Sequence, residues 1–340
     1  MTEINPDVVS SSLKRAEFEE DLELIEEERE ISKGDVVVVE VVSEGGTYDK
    51  VEEIGGKTLE LEEGMTIAGV LCERKAVKGF VGKMPEKVAS GDVLDFIGGG
   101  GAVGKCVSSF EELGDPYPVE VKGLVRNGDE VLNVQDFSVD MDTELNGCEP
   151  LVMVSGTRMD SGKTTLAANI IEEISDRGYS VGAAKLTGFT RQRDRLKMKR
   201  HGAEVSMDFV DAGLLSSSNG TEEVICAAKG VLNHVSNTGV DVIVVELGGG
   251  IIGYDNVYEV LTEEEIVDNV CYNAVTVMDP VAAVGAKRML GEKGVNVDVF
   301  SGPATDTDTG ENLIEDYTDV DALNGRKKYV EIADRIEKKI

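Results

Sequence analysis

Between Leu151 and Ser155 the chain reads Leu-Val-Met-Val-Ser and runs on into Gly156-Thr-Arg-Met-Asp-Ser-Gly162-Lys163-Thr164. An apolar strand leading into a glycine loop of the GxxxxGK[ST] type, here with five residues between Gly156 and Gly162, constrains the fold more than any other segment. Its two glycines let successive backbone N–H groups turn inward around a phosphate, the lysine reaches the β- and γ-phosphates, and the hydroxyl can ligate Mg²⁺. After Thr165, the residues Leu166, Ile170, Ile171 and Ile174 recur at helical spacing towards Arg177, so the loop delivers its anion to a helix N-terminus. The candidate nucleotide contacts are Gly156, Thr157, Asp160, Ser161, Gly162, Lys163, Thr164 and Thr165. The bare pattern arises by chance in on the order of a few per cent of chains this long, so its surroundings decide its meaning. Gly99 to Cys106 fits GxxxxGK with the four-residue spacing, but Cys106 stands where the Mg²⁺-binding hydroxyl belongs, and Ser108 to Gly114 supports at most a short helical turn. That second run reads as a glycine-rich hairpin or bulge in a β-domain.

With 340 residues the chain has room for two domains, each able to bury a core. Thirty-four Lys and Arg against 66 Asp and Glu give a formal charge of −32, spread along both halves. Field repulsion then argues against nonspecific nucleic-acid or anionic-membrane partners. Such a surface suits a salt-rich, halophilic cytoplasm, where screening relieves self-repulsion. Five separated cysteines without a CxxC fit a reducing compartment better than a disulfide framework or a zinc site. No apolar run approaches a membrane span, and Met1 to Asp7 lacks the order of a signal peptide, so the expected location is cytoplasmic.

Composition shifts divide the chain near Asp140 to Pro150. Ser10 to Ser12 would cap an acidic helix reaching about Ile31, with Leu13, Phe18, Leu22 and Ile25 as its apolar stripe, giving an N-terminal helical segment over 1–32. Residues 33–140 carry short β-branched runs, Val36–Val42, Thr58–Leu61, Ile67–Leu71, Val93–Ile97, Ala102–Val107, Val119–Val125 and Glu130–Val134, punctuated by Gly and Asp. This predicts a small, β-rich, antiparallel barrel or sandwich without a catalytic constellation. Its Lys75, Lys78 and Lys83 either touch an anionic substrate or are solvated strand ends. From 151 to 340 strands and helices alternate, with strands at Leu151–Ser155, Ser180–Leu186, Ser206–Val210, Asp241–Glu246, Ala274–Met278 and Val297–Ser301, and helices such as Thr221–Val235 and Val281–Glu292. The fold class expected is α/β, a mainly parallel P-loop NTPase sheet preceded by the small β-rich domain, with ligands outside the carboxyl ends of the strands.

Four of those strand ends carry chemistry. Glu246, before Leu247-Gly248-Gly249-Gly250, faces the P-loop as a partner for Mg²⁺ or an attacking water; an incidental surface Glu is the alternative. Lys185 ends an apolar strand and could hold a carboxylate or carbamate near the γ-phosphate, unless it snorkels to solvent. Arg191, Arg193, Arg195, Lys197, Lys199 and Arg200 put six cations in ten residues, read as an anion-recruiting lip or as a salt-bridge partner for the acidic N-terminal helix. Asp208 and Asp211 flank a further strand end, with Asp208 the favoured second metal ligand and Asp211 open to a turn role.

In order and spacing, Gly156-Thr157 with Gly162-Lys163-Thr164, then Lys185-Leu-Thr-Gly188, then Val245-Glu246-Leu-Gly-Gly-Gly250, resemble dethiobiotin synthetase and its relatives in the SIMIBI class of P-loop proteins. The resemblance covers Leu151 to the C-terminus. It implies that Lys163 and Thr164 handle ATP and Mg²⁺, that Asp208 and Glu246 match the metal carboxylates, and that Lys185 is the substrate-facing lysine. The family chemistry would be attack of a carboxylate or carbamate on the γ-phosphate, followed by capture of the acyl phosphate by an amine. Leu186 replaces the family's proline, and the basic insert and N-terminal β-domain have no counterpart in the simple synthetase. Thr157 stands where MinD-like ATPases carry an extra lysine. Relatives hold the base near the ends of later strands, here Asp279-Pro280 and Ser301-Gly302-Pro303. His201 and His234 lack ligand partners at metal spacing and read as structural.

The expected activity is thus Mg²⁺- and ATP-dependent phosphorylation of a small anionic substrate as the first half of a ligation, with Lys163, Lys185 and Glu246 as catalytic residues and Thr164, Asp208 and Glu246 as metal ligands. GTP in place of ATP, and a homo-oligomer, are both allowed. The alternatives are a nucleotide-switched binding or cofactor-maturation protein and an acyltransferase whose P-loop grips coenzyme A.

Overall fold

The computed structural model describes residues 2–16, 21–218 and 220–340. Two compact units emerge, one of Met1–Ser138 with Phe189–Arg193 and Gly213–Ser216, the other of Val139–Gly188, Asp194–Ala212 and Ser217–Ile340.

In the first unit, β1 (Val36–Val41), β2 (Thr66–Leu71), β3 (Val93–Gly98), β4 (Ala102–Ser109) and β5 (Tyr117–Asn127) close on themselves. The ring runs β1, β5, β3, β4, β2 and back to β1, all antiparallel except β4 with β2. The Val-Val-Val-Val run that opens β1 shows why these sequences make strands. Side chains alternate across a strand, and Val37, Val39 and Val41 enter one apolar cluster with Ile67, Phe96 and Val121, while Val36 and Val38 enter another with Val70, Ile97 and Ala102. Burial on both faces accounts for the unbroken β-branched run. Phe189 and Leu215 pack into the second cluster, which anchors both short excursions from the C-terminal half in this unit.

Among the described residues the acidic N-terminal segment is not the expected helix. Ser11–Leu13 is a single 3-10 turn, Leu22–Ile25 and Arg29–Glu30 are strands, and Phe18 lies outside the described residues. Leu24 and Ile25 pair with Val125 and Leu124 of β5, and Leu24 with Thr2. The many Glu residues favour a helix locally, but burying Leu22, Leu24 and Ile25 against the barrel wins. The strand expected at Glu130–Val134 is likewise only Glu130–Val131, followed by a 3-10 turn at Val134–Phe137.

The second unit is a six-stranded, wholly parallel sheet of β6 (Leu151–Gly156), β7 (Val181–Thr187), β8 (Val205–Asp208), β9 (Val242–Leu247), β10 (Val270–Thr276) and β11 (Val299–Ser301). Its order is β8-β7-β9-β6-β10-β11, so the strand before the glycine loop lies between β9 and β10. Around it run α1 (Lys163–Asp176), α2 (Arg193–Arg200), α3 (Thr221–Ser236), α4 (Pro280–Gly291), α5 (Asp308–Thr318) and α6 (Tyr329–Glu337). Leu166, Ile170, Ile171 and Ile174 of α1 cluster with Val152, Val154, Ala183, Val242 and Val244. By strand alternation, Lys185 and Glu246 continue that same face at the carboxyl ends. No helix among the described residues is long and apolar enough to cross a membrane.

Candidate phosphate and metal site

The loop from β6 to α1 is held by backbone requirements and by β10. A β-carbon at Gly156 would lie 2.3 Å from Thr276 Oγ1 and 2.5 Å from Ser161 Oγ, so only glycine fits. The Ser161 and Thr276 hydroxyls share a 2.6 Å hydrogen bond, and Thr157 N–H donates to the Thr276 carbonyl at 3.0 Å. Asp160 (φ +59°) and Gly162 (φ +96°) turn the chain through the left-handed region into the first turn of α1. The loop thus leads directly into the N-terminus of α1, the arrangement that anion binding uses.

Lys163 is buried, and its Nζ donates to the carbonyls of Arg158 and Gly249, each at 2.8 Å. Burial pulls its pKa down and Lys185 adds to the effect, with Glu246 opposing. Thr164 Oγ1 donates to Glu246 Oε1 at 2.7 Å. Glu246 is only 2% exposed, and its Oε2 has no hydrogen-bond partner. Burial, and next the charge of Asp194, raise the Glu246 pKa against the pull of Lys185, Thr164 and Lys163.

Strand register explains the convergence. Glu246 pairs with Val154 of β6 on one side and Lys185 of β7 on the other, and Lys185 pairs in turn with Asp208 of β8. Lys185 is buried and ion-paired with Asp194, in the first turn of α2. Burial disfavours its charge, but Asp194, Glu246 and Asp208 outweigh that and its pKa is raised. Asp208 itself accepts from Val210 N–H through Oδ1 at 2.9 Å, and its Oδ2 lies 3.8 Å from Arg195 Nε. Asp211 Oδ2 accepts from Asp208 N–H at 2.9 Å, a turn role.

The sequence gives no role to one residue of the site, Asp194. Asp194 is the one acid inside the basic run, and that charge reversal was the available signal. Of the six cations expected to recruit an anion, Lys197 reaches from α2 to Thr165 Oγ1 at 3.0 Å. Within the run, Arg195 faces Asp208, Lys199 bonds the Glu204 carbonyl, Arg200 is exposed, and Arg191 belongs to the first unit.

A cleft adjoins the loop, lined by Ser161, Gly162 and Thr165 and by Ser301, Gly302 and Pro303 after β11. Asp279 is not among its lining residues; it caps α4, accepting from Ala282 N–H at 2.9 Å.

No protein-family model matches the sequence, and no curated protein matches it. Among solved structures, the 54 kDa signal recognition particle protein of Aeropyrum pernix K1, determined in complex with GDP, is similar at 18% identity and a TM-score of 0.37. The match covers 56% of this chain and 48% of that one, so it spans about half of that protein's length.

Proposed function

We propose that the second unit is a Mg²⁺-dependent phosphotransferase of the SIMIBI type that uses ATP, or GTP in its place, and phosphorylates a small carboxylate or carbamate as the opening half of a ligation. The observation that carries this reading is the meeting of Lys163, Thr164, Glu246, Lys185 and Asp194 at the carboxyl ends of adjacent parallel strands. Bare strand ends and an incidental surface Glu do not account for a buried carboxylate with one oxygen unpartnered.

The residues present fit a hard cation. Among the described residues no cluster of three or more His, Cys, Asp or Glu could hold a metal by itself. Mg²⁺ in phosphate chemistry needs less, usually one or two protein oxygens with phosphates and water completing the shell. Thr164 Oγ1 and Glu246 Oε2 would hold it, with Asp194 favoured over Asp208 as the second carboxylate because Asp194 ion-pairs with Lys185, the register neighbour of Glu246, whereas Asp208 is engaged by Val210 N–H and faces Arg195. Bound there, the ion supplies charge neutralisation at the β- and γ-phosphates.

The chain's own groups do the rest. Lys163 exchanges its two carbonyl partners for phosphate oxygens, and the α1 N-terminus holds the β-phosphate. Lys185, kept protonated by its acidic neighbours, orients the acceptor carboxylate. An oxygen of that carboxylate attacks the γ-phosphorus as the bond to the bridging oxygen breaks, giving acyl phosphate and nucleoside diphosphate. Positioning and charge stabilisation are the expected sources of rate.

Calorimetry of the full chain against ATP, GTP and coenzyme A, in high-potassium buffer with Mg²⁺, tests this directly. Triphosphate binding that is lost in Lys163→Ala, with ADP release stimulated by a small carboxylic acid, is the expected result. Binding of coenzyme A alone would replace phosphoryl transfer by acyl transfer.

A second reading, the nucleotide-switched binding protein, draws on the loop after β9. Ile252 is 75% and Tyr254 65% exposed, on the same loop whose Gly249 carbonyl accepts from Lys163. A γ-phosphate that draws Lys163 away releases that carbonyl. Slow hydrolysis indifferent to every acid tried, with nucleotide-dependent proteolysis of this loop, would favour switching.

A further inference from the structure

The first unit contains two arginines that the nucleotide reading does not use. Arg74, only 7% exposed, lies with its Cζ 4.3 Å from the ring centroid of Phe189 and 5.7 Å from that of Tyr48. Arg191 places its Cζ 5.6 Å from the same Tyr48 ring. One phenol thus stands beside two guanidinium groups. Arg74 Nη1 donates to the Ile97 carbonyl, but the buried Nε atoms of both arginines have no hydrogen-bond partner. Neither forms an ion pair with a described carboxylate, in a chain with 66 acids to 34 bases. Glu52, buried in the same unit, gives its Oε1 to the Gln192 N–H instead.

The backbone is shaped around these groups. A β-carbon at Gly99 would fall 2.4 Å from Arg191 Nη2, so the guanidinium rests directly on the glycine run. Exposed Lys75 and Lys83 lie near Arg74 in the chain, on or beside the hairpin closed by the Arg74–Gly82 bridge, and strengthen the local positive field. Burial would push the Tyr48 phenol up, yet Arg74 and Arg191 outweigh it and hold the pKa below the usual tyrosine value. Two partly desolvated cations without a counter-charge are costly, and a planar fork of N–H donors matches a carboxylate or phosphate.

We propose that the first unit binds a small oxyanion, a carboxylate or a phosphate, between Arg74 and Arg191 beside the Tyr48 hydroxyl. The site lies wholly within that unit and does not depend on the P-loop reading.

The test uses the full chain carrying Lys163→Ala, so that the P-loop does not contribute. Inorganic phosphate and succinate are titrated separately by calorimetry, and tyrosine ionisation is followed by ultraviolet absorbance with and without each anion. The chain has 8 Tyr and no Trp, which keeps that signal clean. One anion should bind and raise the apparent pKa of a single tyrosine, a change absent in Tyr48→Phe. Phosphate and succinate distinguish the two chemical sources. Arg191→Ala should weaken binding about tenfold or more, as expected for loss of charge-assisted hydrogen bonds, with partial rescue by Arg191→Lys. Arg191 is the principal variant because the more deeply buried Arg74 risks the fold. Unchanged affinity in Arg191→Ala, or no anion effect on the Tyr48 ionisation, overturns the proposal.

Discussion

Gly99 to Lys105 and Gly156 to Lys163 each set a glycine ahead of a Gly-Lys pair, with four residues between the glycines in the first and five in the second, and they fold into opposite things. The first joins β3 to β4 as a hairpin, with a register shift between Phe96 and Gly98, and its lysine is exposed. Glycines there make room for a neighbouring segment: β-carbons at Gly98 and Gly100 would lie 2.2 Å from the Phe189 ring and 2.4 Å from the Thr190 carbonyl oxygen. The second precedes a 14-residue helix, and its lysine is turned inward between two carbonyls. Glycine spacing alone therefore specifies close approach. The element that comes after the lysine, strand or helix, decides whether a polypeptide or an anion does the approaching.

The distinction fails if the two lysines behave alike. Lys163→Ala should cost on the order of 100-fold in triphosphate affinity, since a charge-assisted contact to phosphate is lost from a desolvated site. Lys105→Ala should leave that affinity unchanged, and calorimetry on both variants decides the matter. A weaker but more specific effect is expected from the carboxylates. Glu246→Gln and Asp194→Asn should each reduce Mg²⁺-dependent nucleotide binding by about 10- to 100-fold while leaving metal-free binding in excess chelator nearly untouched. Protons compete with the cation for Glu246, whose pKa is raised by burial and Asp194. Mg²⁺-assisted binding should then tighten as pH climbs through that raised value, and Glu246→Gln should flatten the profile. In the ligand-free protein the sign reverses. Folding favours the protonated acid, so stability falls as pH rises above the ordinary 4.5 towards the folded-state value.

Much of the second unit was legible because its signals are local. The strand before the loop, the helix after it and the glycine run after Glu246 each follow from a few adjacent residues, and register then brings Glu246 beside Lys185. Asp194 was not legible in the same way. Its role depends on α2 bringing it to Lys185, nine residues earlier on a different element, and its neighbours in sequence are all of opposite charge. Leu22–Ile25 failed for the converse reason. An acidic segment with helix-forming residues reads as helix by itself, and only its pairing with β5, about a hundred residues later, makes it a strand. Nor could the sequence show that Phe189–Arg193 belongs with the barrel, since Phe189 is one apolar residue in a polar stretch.

Packing at the two loops differs more modestly. Gly156→Ala forces its β-carbon against the Thr276 and Ser161 hydroxyls, both held in a hydrogen bond, and should destabilise the unit by about 2 kcal/mol in denaturant unfolding. Gly99→Ala meets the end of a flexible arginine, which can move aside, so the expected loss is below about 1 kcal/mol. Equal losses at both positions would mean that Arg191 is held as rigidly as the P-loop.

Lys197 gives the P-loop a cationic neighbour, as Arg191 gives the hairpin at Gly99. It places an ammonium 3.0 Å from the hydroxyl of Thr165, the residue just beyond the lysine and threonine that mark the loop. A cation there stands by the first turn of α1 and adds to the field that draws phosphate to the helix end. Lys197→Ala should weaken nucleotide binding about three- to tenfold, in line with one solvent-accessible charge-assisted hydrogen bond. The loss should shrink as salt is raised, because a half-buried charge is partly screened. Lys199→Ala, two residues along the same helix and bonded to the Glu204 carbonyl, serves as the control, and calorimetry at two potassium concentrations reads both. A loss shared by the two variants would assign the effect to the general field of α2. A loss confined to Lys197 would extend the phosphate site from its loop onto a second helix.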